Sequence, residues 1–145
     1  MVHFYSALLV YFSLTLDKEQ QILGVIDGES RALLTLKHLK DKSTINIIRA
    51  LLDAIELYGK PKIIRSDNES VFTSKLMSMV LYILGIKHQT TQIASPWQNG
   101  RIERLFLTMK ESFQNIIFPT TKSLEIGLRE FRFFYNHIRP HQHLD

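Results

Sequence analysis

The chain has 145 residues, the size of one domain and long enough for a real core. With 45% apolar and 22% charged residues it reads as globular and soluble, and the absence of cysteine excludes disulfides, a thiolate metal site and a cysteine nucleophile. Lys and Arg number 18 against 14 Asp and Glu, and this net charge of +4 is a mild bias that suits a polyanionic partner without demanding one.

The first element is the almost uncharged run Phe4 to Leu16. It is shorter than the eighteen or so residues of a membrane span and lacks the basic segment of a signal peptide, so it reads as a core strand. Its alternation sets Leu8, Val10, Phe12, Leu14 and Leu16 on one face and Leu9, Tyr11, Ser13 and Thr15 on the other. After the polar turn Asp17-Lys18-Glu19 the chain returns as Gln21 to Ile26, and Asp27-Gly28-Glu29-Ser30 turns it into Ala32 to Leu39. Turns this short imply an antiparallel meander. Ser43 or Thr44 then caps a helix with Ile48, Leu51, Leu52 and Ile55 at spacings of three and four, and Gly59 with Pro61 stops it. Lys62 to Ser66 is a fourth strand, Ser74 to Leu84 an apolar helix ended by Gly85, and His88 to Ile93 a fifth strand. Gln92 to Gln98 reads as a loop, and Asn99 to Phe113 and Leu124 to Ile138 as helices. The later alternation of strand and helix implies parallel crossovers, so the pattern gives an α/β fold: one mixed five-stranded sheet flanked by helices, over residues 1–145.

Two carboxylates stand out. Asp67 follows the apolar pair Ile63-Ile64 in Arg65-Ser66-Asp67-Asn68, and Glu103 opens a helical pattern in Asn99-Gly100-Arg101-Ile102-Glu103-Arg104, with thirty-five residues between them. Taken alone, Asp67 suits an Asx turn, and Glu103 a solvated acid near the positive end of a helix dipole. Taken together, an acid at the C-terminal end of a strand and one on the first turns of a helix can join into a metal site, provided they lie within about 8 Å of each other. Arg101, Arg104 and Lys110 on the same helix suit phosphate contact or plain solvation. His137, His141 and His143 have no Cys or paired acid to close a zinc shell.

Ser66-Asp67-Asn68-Glu69-Ser70-Val71-Phe72, Ser95-Pro96-Trp97-Gln98-Asn99-Gly100-Arg101-Ile102-Glu103 and Tyr135-Asn136-His137-Ile138-Arg139-Pro140-His141 resemble, in order and gaps, the integrase core of bacterial insertion-sequence transposases and retroviral integrases. The resemblance covers almost the whole chain and implies a ribonuclease H-like fold. It also implies two Asp and one Glu holding Mg²⁺ or Mn²⁺ for DNA cleavage and strand transfer, with Asp67 and Glu103 in the second and third places. Lys110 matches a position the family uses against DNA, and Asn99 a loop residue that approaches the DNA end. DNA and a second copy are the partners implied, with no membrane and a cytoplasmic setting, and the N-terminal DNA-binding arm of full transposases is absent from this sequence.

Two departures matter. Glu69 stands where the family has glycine, adding negative charge and raising the question of turn geometry. Residues 1–16, where the first Asp belongs, contain no acid; counted back from Asp27 without gaps, its place falls at Phe12 or a close neighbour. Asp17 and Asp27 lie several residues along the strands, and at about 3.3 Å per residue that is more than about 13 Å from the expected place. Two readings follow: a weakened DNA strand-transferase using Asp67 and Glu103, and a non-enzymatic DNA-binding and dimerising module or decayed transposase relic.

Overall fold

A computed structural model of the chain describes residues 3–13, 19–41, 43–90 and 100–137. The strands are β1 (Phe4–Ser13), β2 (Glu19–Asp27), β3 (Leu33–Leu39), β4 (Ile63–Ser66) and β5 (Lys87–Thr90), and the helices α1 (Thr44–Tyr58), α2 (Ser70–Thr73), α3 (Lys75–Leu84), α4 (Gly100–Phe113) and α5 (Thr121–His137). One sheet of order β3-β2-β1-β4-β5 holds all five strands, antiparallel from β1 to β3 and parallel across β1, β4 and β5. This is the expected mixed sheet. No described helix is long and apolar enough to cross a membrane.

β1 is central, and its alternation feeds two cores. Tyr5, Ala7 and Leu9 join Leu23, Val25 and Ile64 against α1 and α3, while Leu8 packs with Ile22, Ile26, Leu33 and Leu36 against α4 and α5. A strand covered on both faces has no polar side to show, which is why the sequence there is nearly continuous in apolar residues. The Tyr5 hydroxyl donates to the carbonyl of Gly59, tying the end of α1 to the start of β1, and burial, with Asp27 and Tyr58 adding to it, raises the Tyr5 pKa.

Local chemistry fixes the helix ends. Ser43 caps α1 by accepting from Asn46 N, and Ser74 caps α3 by accepting from Met77 N. Gly85 ends α3 at φ +72, a left-handed position that costs glycine nothing. Two differences from the expected elements appear. The single turn α2 precedes α3, and α5 begins at Thr121 rather than Leu124, because Ser123 N donates to Thr120 Oγ1 while Thr120 N donates to Ser123 Oγ, a reciprocal cap. Residues 91–93 of the expected fifth strand, and 138 of the last helix, lie outside the described residues.

α5 grips the start of β3, an edge strand. Leu33 N donates to Asn136 Oδ1 at 2.8 Å, and the Leu33 carbonyl accepts from Asn136 Nδ2 and from Arg132 Nε, both at 2.9 Å. This explains Asn136 within the Tyr135-Asn136-His137 segment as a structural side chain.

Candidate active site

Asp67 is the residue immediately after β4. β4 pairs with β1 so that Phe4 lies beside Ile63, Tyr5 beside Ile64 and Ser6 beside Arg65. Side-by-side residues on neighbouring strands share a face, and faces alternate along each strand. Tyr5 and Ile64 point to α1 and α3, so Phe4, Ser6, Ile63 and Arg65 point to the side of α4. Carried two residues further, the same register sets Leu8 level with Asp67 on that side.

Leu8 connects this point to the helix that carries Glu103. Its antiparallel partner is Gly24, and a Cβ built on Gly24 would lie 2.6 Å from Phe106 Cζ, so α4 presses its Phe106 ring onto bare backbone beside Leu8. Glu103 is one turn earlier on α4, about 4.5 Å along the axis. Ile102, Leu105, Phe106 and Met109 are buried, which leaves Glu103, Leu107 and Lys110 on an exposed flank of the same helix. Arg104 is exposed as well. Arg101 belongs to α4 and Asn99 lies outside the described residues.

The expected place of a first-strand acid, Phe12 or a close neighbour, shifts with this register. Phe12 pairs with Gln20, far along β1 from the contact with β4, and at about 3.3 Å per residue it is about 13 Å beyond Leu8. An antiparallel hairpin doubles back, so residues counted backwards from Asp27 do not stay near Asp27; its strand partner is Tyr5. That pairing also sets Asp27 on the α1 side of the sheet, away from α4, where its Oδ1 accepts from Glu29 N at 2.9 Å and its Oδ2 lies 3.4 Å from His3 Nε2. Asp17 lies outside the described residues.

The backbone around Asp67 is tightly held. Its Oδ1 accepts from Glu69 N at 3.0 Å, an Asx turn that starts α2. Glu69 has φ −61, a value open to any residue, so the turn does not require glycine at this position. The fully buried Ser66 donates its hydroxyl to Asp67 O at 2.9 Å and lies 2.7 Å from His88 Nε2. With the only hydroxyl proton committed to Asp67, His88 Nε2–H is the donor in that contact. Burial lowers the His88 pKa, favouring the neutral ring. No local motif announces the Ser66–His88 pair, since the two residues meet only through the parallel pairing of β4 with β5.

Among the described residues, no group of three or more His, Cys, Asp or Glu side chains is gathered where a metal ion could be held. His137 packs its ring against Phe133, and His141 and His143 lie outside the described residues. Two carboxylates, Asp67 and Glu103, with no third candidate ligand gathered beside them among the described residues, are too few to fit a centre of two divalent ions.

Comparison with known proteins agrees with this architecture. Two family profiles, both described as integrase core domain, match residues 9–96 and 84–145. The sequence is 30% identical to the putative integrase ORF3 of Spiroplasma virus SpV1-C74, over 90% of this chain and 41% of that protein. It is 26% identical to the insertion element IS407 uncharacterized 31.7 kDa protein of Burkholderia multivorans, over 92% of this chain and 48% of that one. The chain thus spans less than half the length of either relative. Its fold matches the HTLV-2 integrase catalytic core domain in complex with magnesium (trimeric form) with a TM-score of 0.75 at 20% identity, covering 97% of this chain and 88% of that one.

Proposed function

Since this chain belongs to the integrase core domain family, we propose that it serves DNA integration as the core of a mobile-element integrase or transposase whose metal site is incomplete. What supports the incompleteness is the β1–β4 register, which, carried two residues past its last pair Ser6–Arg65, brings Leu8, and no acid, level with Asp67 on the α4 side of the sheet. Asp67 and Glu103 are the catalytic and metal-binding acids of this reading, for Mg²⁺ or Mn²⁺. Two carboxylates supply few of the six oxygen ligands an octahedral ion takes, so binding is millimolar or weaker.

Asn99, Arg101, Arg104 and Lys110 are the DNA contacts in this reading. Cations acting on phosphates give weak binding that falls steeply with salt and carries no base sequence. A homodimer is the assembly. It is supported by the large apolar side chains that the helices expose, Leu57, Tyr82, Ile83 and Phe133 among them.

The same register favours a second reading, a non-enzymatic DNA-binding and dimerising module or a decayed transposase relic. A strand-transfer assay on the wild-type protein with Mg²⁺ and with Mn²⁺, beside calorimetric metal titration, separates the two. Residual transfer that Asp67→Asn abolishes favours the weakened enzyme, and salt-dependent DNA binding without transfer favours the module. Full transfer in Mg²⁺, or micromolar Mg²⁺ binding, overturns the incomplete site.

A further inference from the structure

The register of β1 with β4 and of β4 with β5 also defines what else lies on the α4 side of the sheet. Across β1, β4 and β5 the rows Phe4–Ile63–Lys87 and Ser6–Arg65–Gln89 share that face, while α4 packs over β1 and β2 and α5 over β3. Lys87 and Gln89 are exposed, and Ile63 and Arg65 are half-buried. Neither β4 nor β5 contains an acidic residue.

Arg65 is built into this face. Its guanidinium carbon lies 4.4 Å from the centre of the Phe4 ring, and its Nε donates to Gln89 Oε1 at 2.9 Å. The ring below is held in turn by Gly28, where an added Cβ would lie 2.1 Å from Phe4 Cζ, so no other residue fits there without moving the ring. A guanidinium stacked on an aromatic face and fixed at Nε keeps one orientation, and a planar fork of donors in a fixed orientation suits phosphate recognition better than a flexible ammonium. Arg65 stands two residues before Asp67, about 6.6 Å along the chain.

We infer that Arg65, with Gln89 and Lys87, forms a phosphate-binding shelf that seats the backbone of a DNA strand beside Asp67. Gln89 orients the guanidinium, Arg65 binds a phosphate, and Lys87 adds charge at the strand's far end. The shelf rests on the DNA-binding reading above and adds residues to it.

The test is fluorescence anisotropy of a fluorescein-labelled DNA duplex of mixed sequence, titrated at several salt concentrations. Wild type is compared with Arg65→Gln/Lys87→Gln, with Gln89→Glu, and with Arg49→Gln, an exposed position on α1, as a control. The double variant is expected to weaken binding and to flatten the slope of log affinity against log salt by about 1 for each cation removed. Gln89→Glu, which gives Arg65 a carboxylate partner in place of an amide, is expected to weaken binding without removing either cation, and Arg49→Gln to match wild type. If thermal melting shows the double variant unfolded, Gln89→Glu decides. Wild-type slope and affinity in the folded double variant, or in Gln89→Glu, overturn the shelf and leave the DNA-binding reading intact. No salt-dependent binding by wild type overturns both.

Discussion

Replacing Leu8 with aspartate puts a carboxylate level with Asp67 and beside the Gly24–Phe106 contact that seats α4. Inserting it into a half-buried apolar position is expected to cost on the order of 2–4 kcal/mol, read as a lower urea midpoint without metal. Mn²⁺ should restore the thermal midpoint of Leu8→Asp and leave wild type unmoved, because an ion that binds only the folded state shifts the folding equilibrium. Asp67→Asn in the Leu8→Asp background should abolish that response. Phe12→Asp should show no metal response, since its backbone pairs with Gln20, well beyond the reach of Asp67. A response in Phe12→Asp, or none in Leu8→Asp, would contradict the register argument. At this scale the sequence marks the two candidate acids but not the strand neighbour of Asp67. Asp67 and Glu103 carry recognisable neighbours, whereas the position of Leu8 depends on a parallel pairing that leaves no mark in either strand's own residues.

Among the elements, those with end signals in their own residues could be read directly: Ser43 and Gly59 bound α1, and Ser74 and Gly85 bound α3. α2 was not legible, because four residues hold no helical period, and the start of α5 was not, because Thr120 and Ser123 cap each other without an acidic third residue. The clamp of α5 on β3 gives a prediction at this scale. Leu33 is fully buried, so Asn136→Ala leaves its backbone N–H without that partner and is expected to cost about 1–3 kcal/mol, measured by urea unfolding. Asn136→Asp, which keeps the acceptor and loses the donor, should fall between. Two half-buried histidines give a pH prediction. Burial lowers the pKa of His38, with Glu125 opposing, and that of His88, from the ordinary 6.5. As pH falls below 6.5 the unfolded chain takes up protons that the native chain resists, so stability present above that pH is lost towards the lower native values. Thermal midpoints should drop as pH falls below about 6.5, and His38→Gln should reduce the drop; an unchanged midpoint on acidification would count against half-buried neutral rings.

For the whole molecule, the fold class was legible because three closely spaced strands followed by alternating helices and strands admit few arrangements, and the order β3-β2-β1-β4-β5 is the one adopted. Assembly was less so, because the apolar residues that cover a core and those that cover a partner look alike in sequence. Tyr82 is 85% and Ile83 73% exposed. Sedimentation should show a concentration-dependent dimer that Tyr82→Asp/Ile83→Asp shifts towards monomer, while a monomer at all concentrations would remove dimerisation. The position of β1 between a neighbour in the chain and a distant one also sets an order of events in folding. Pairing with β2 closes only a hairpin, whereas pairing with β4 must wait until the chain through β3 and α1 has been drawn in, at a larger loop entropy. In pulse-labelled hydrogen exchange, amides of β2 and β3 should gain protection before those of β4, and Asp67 would meet its neighbours only in the last, slow phase of folding.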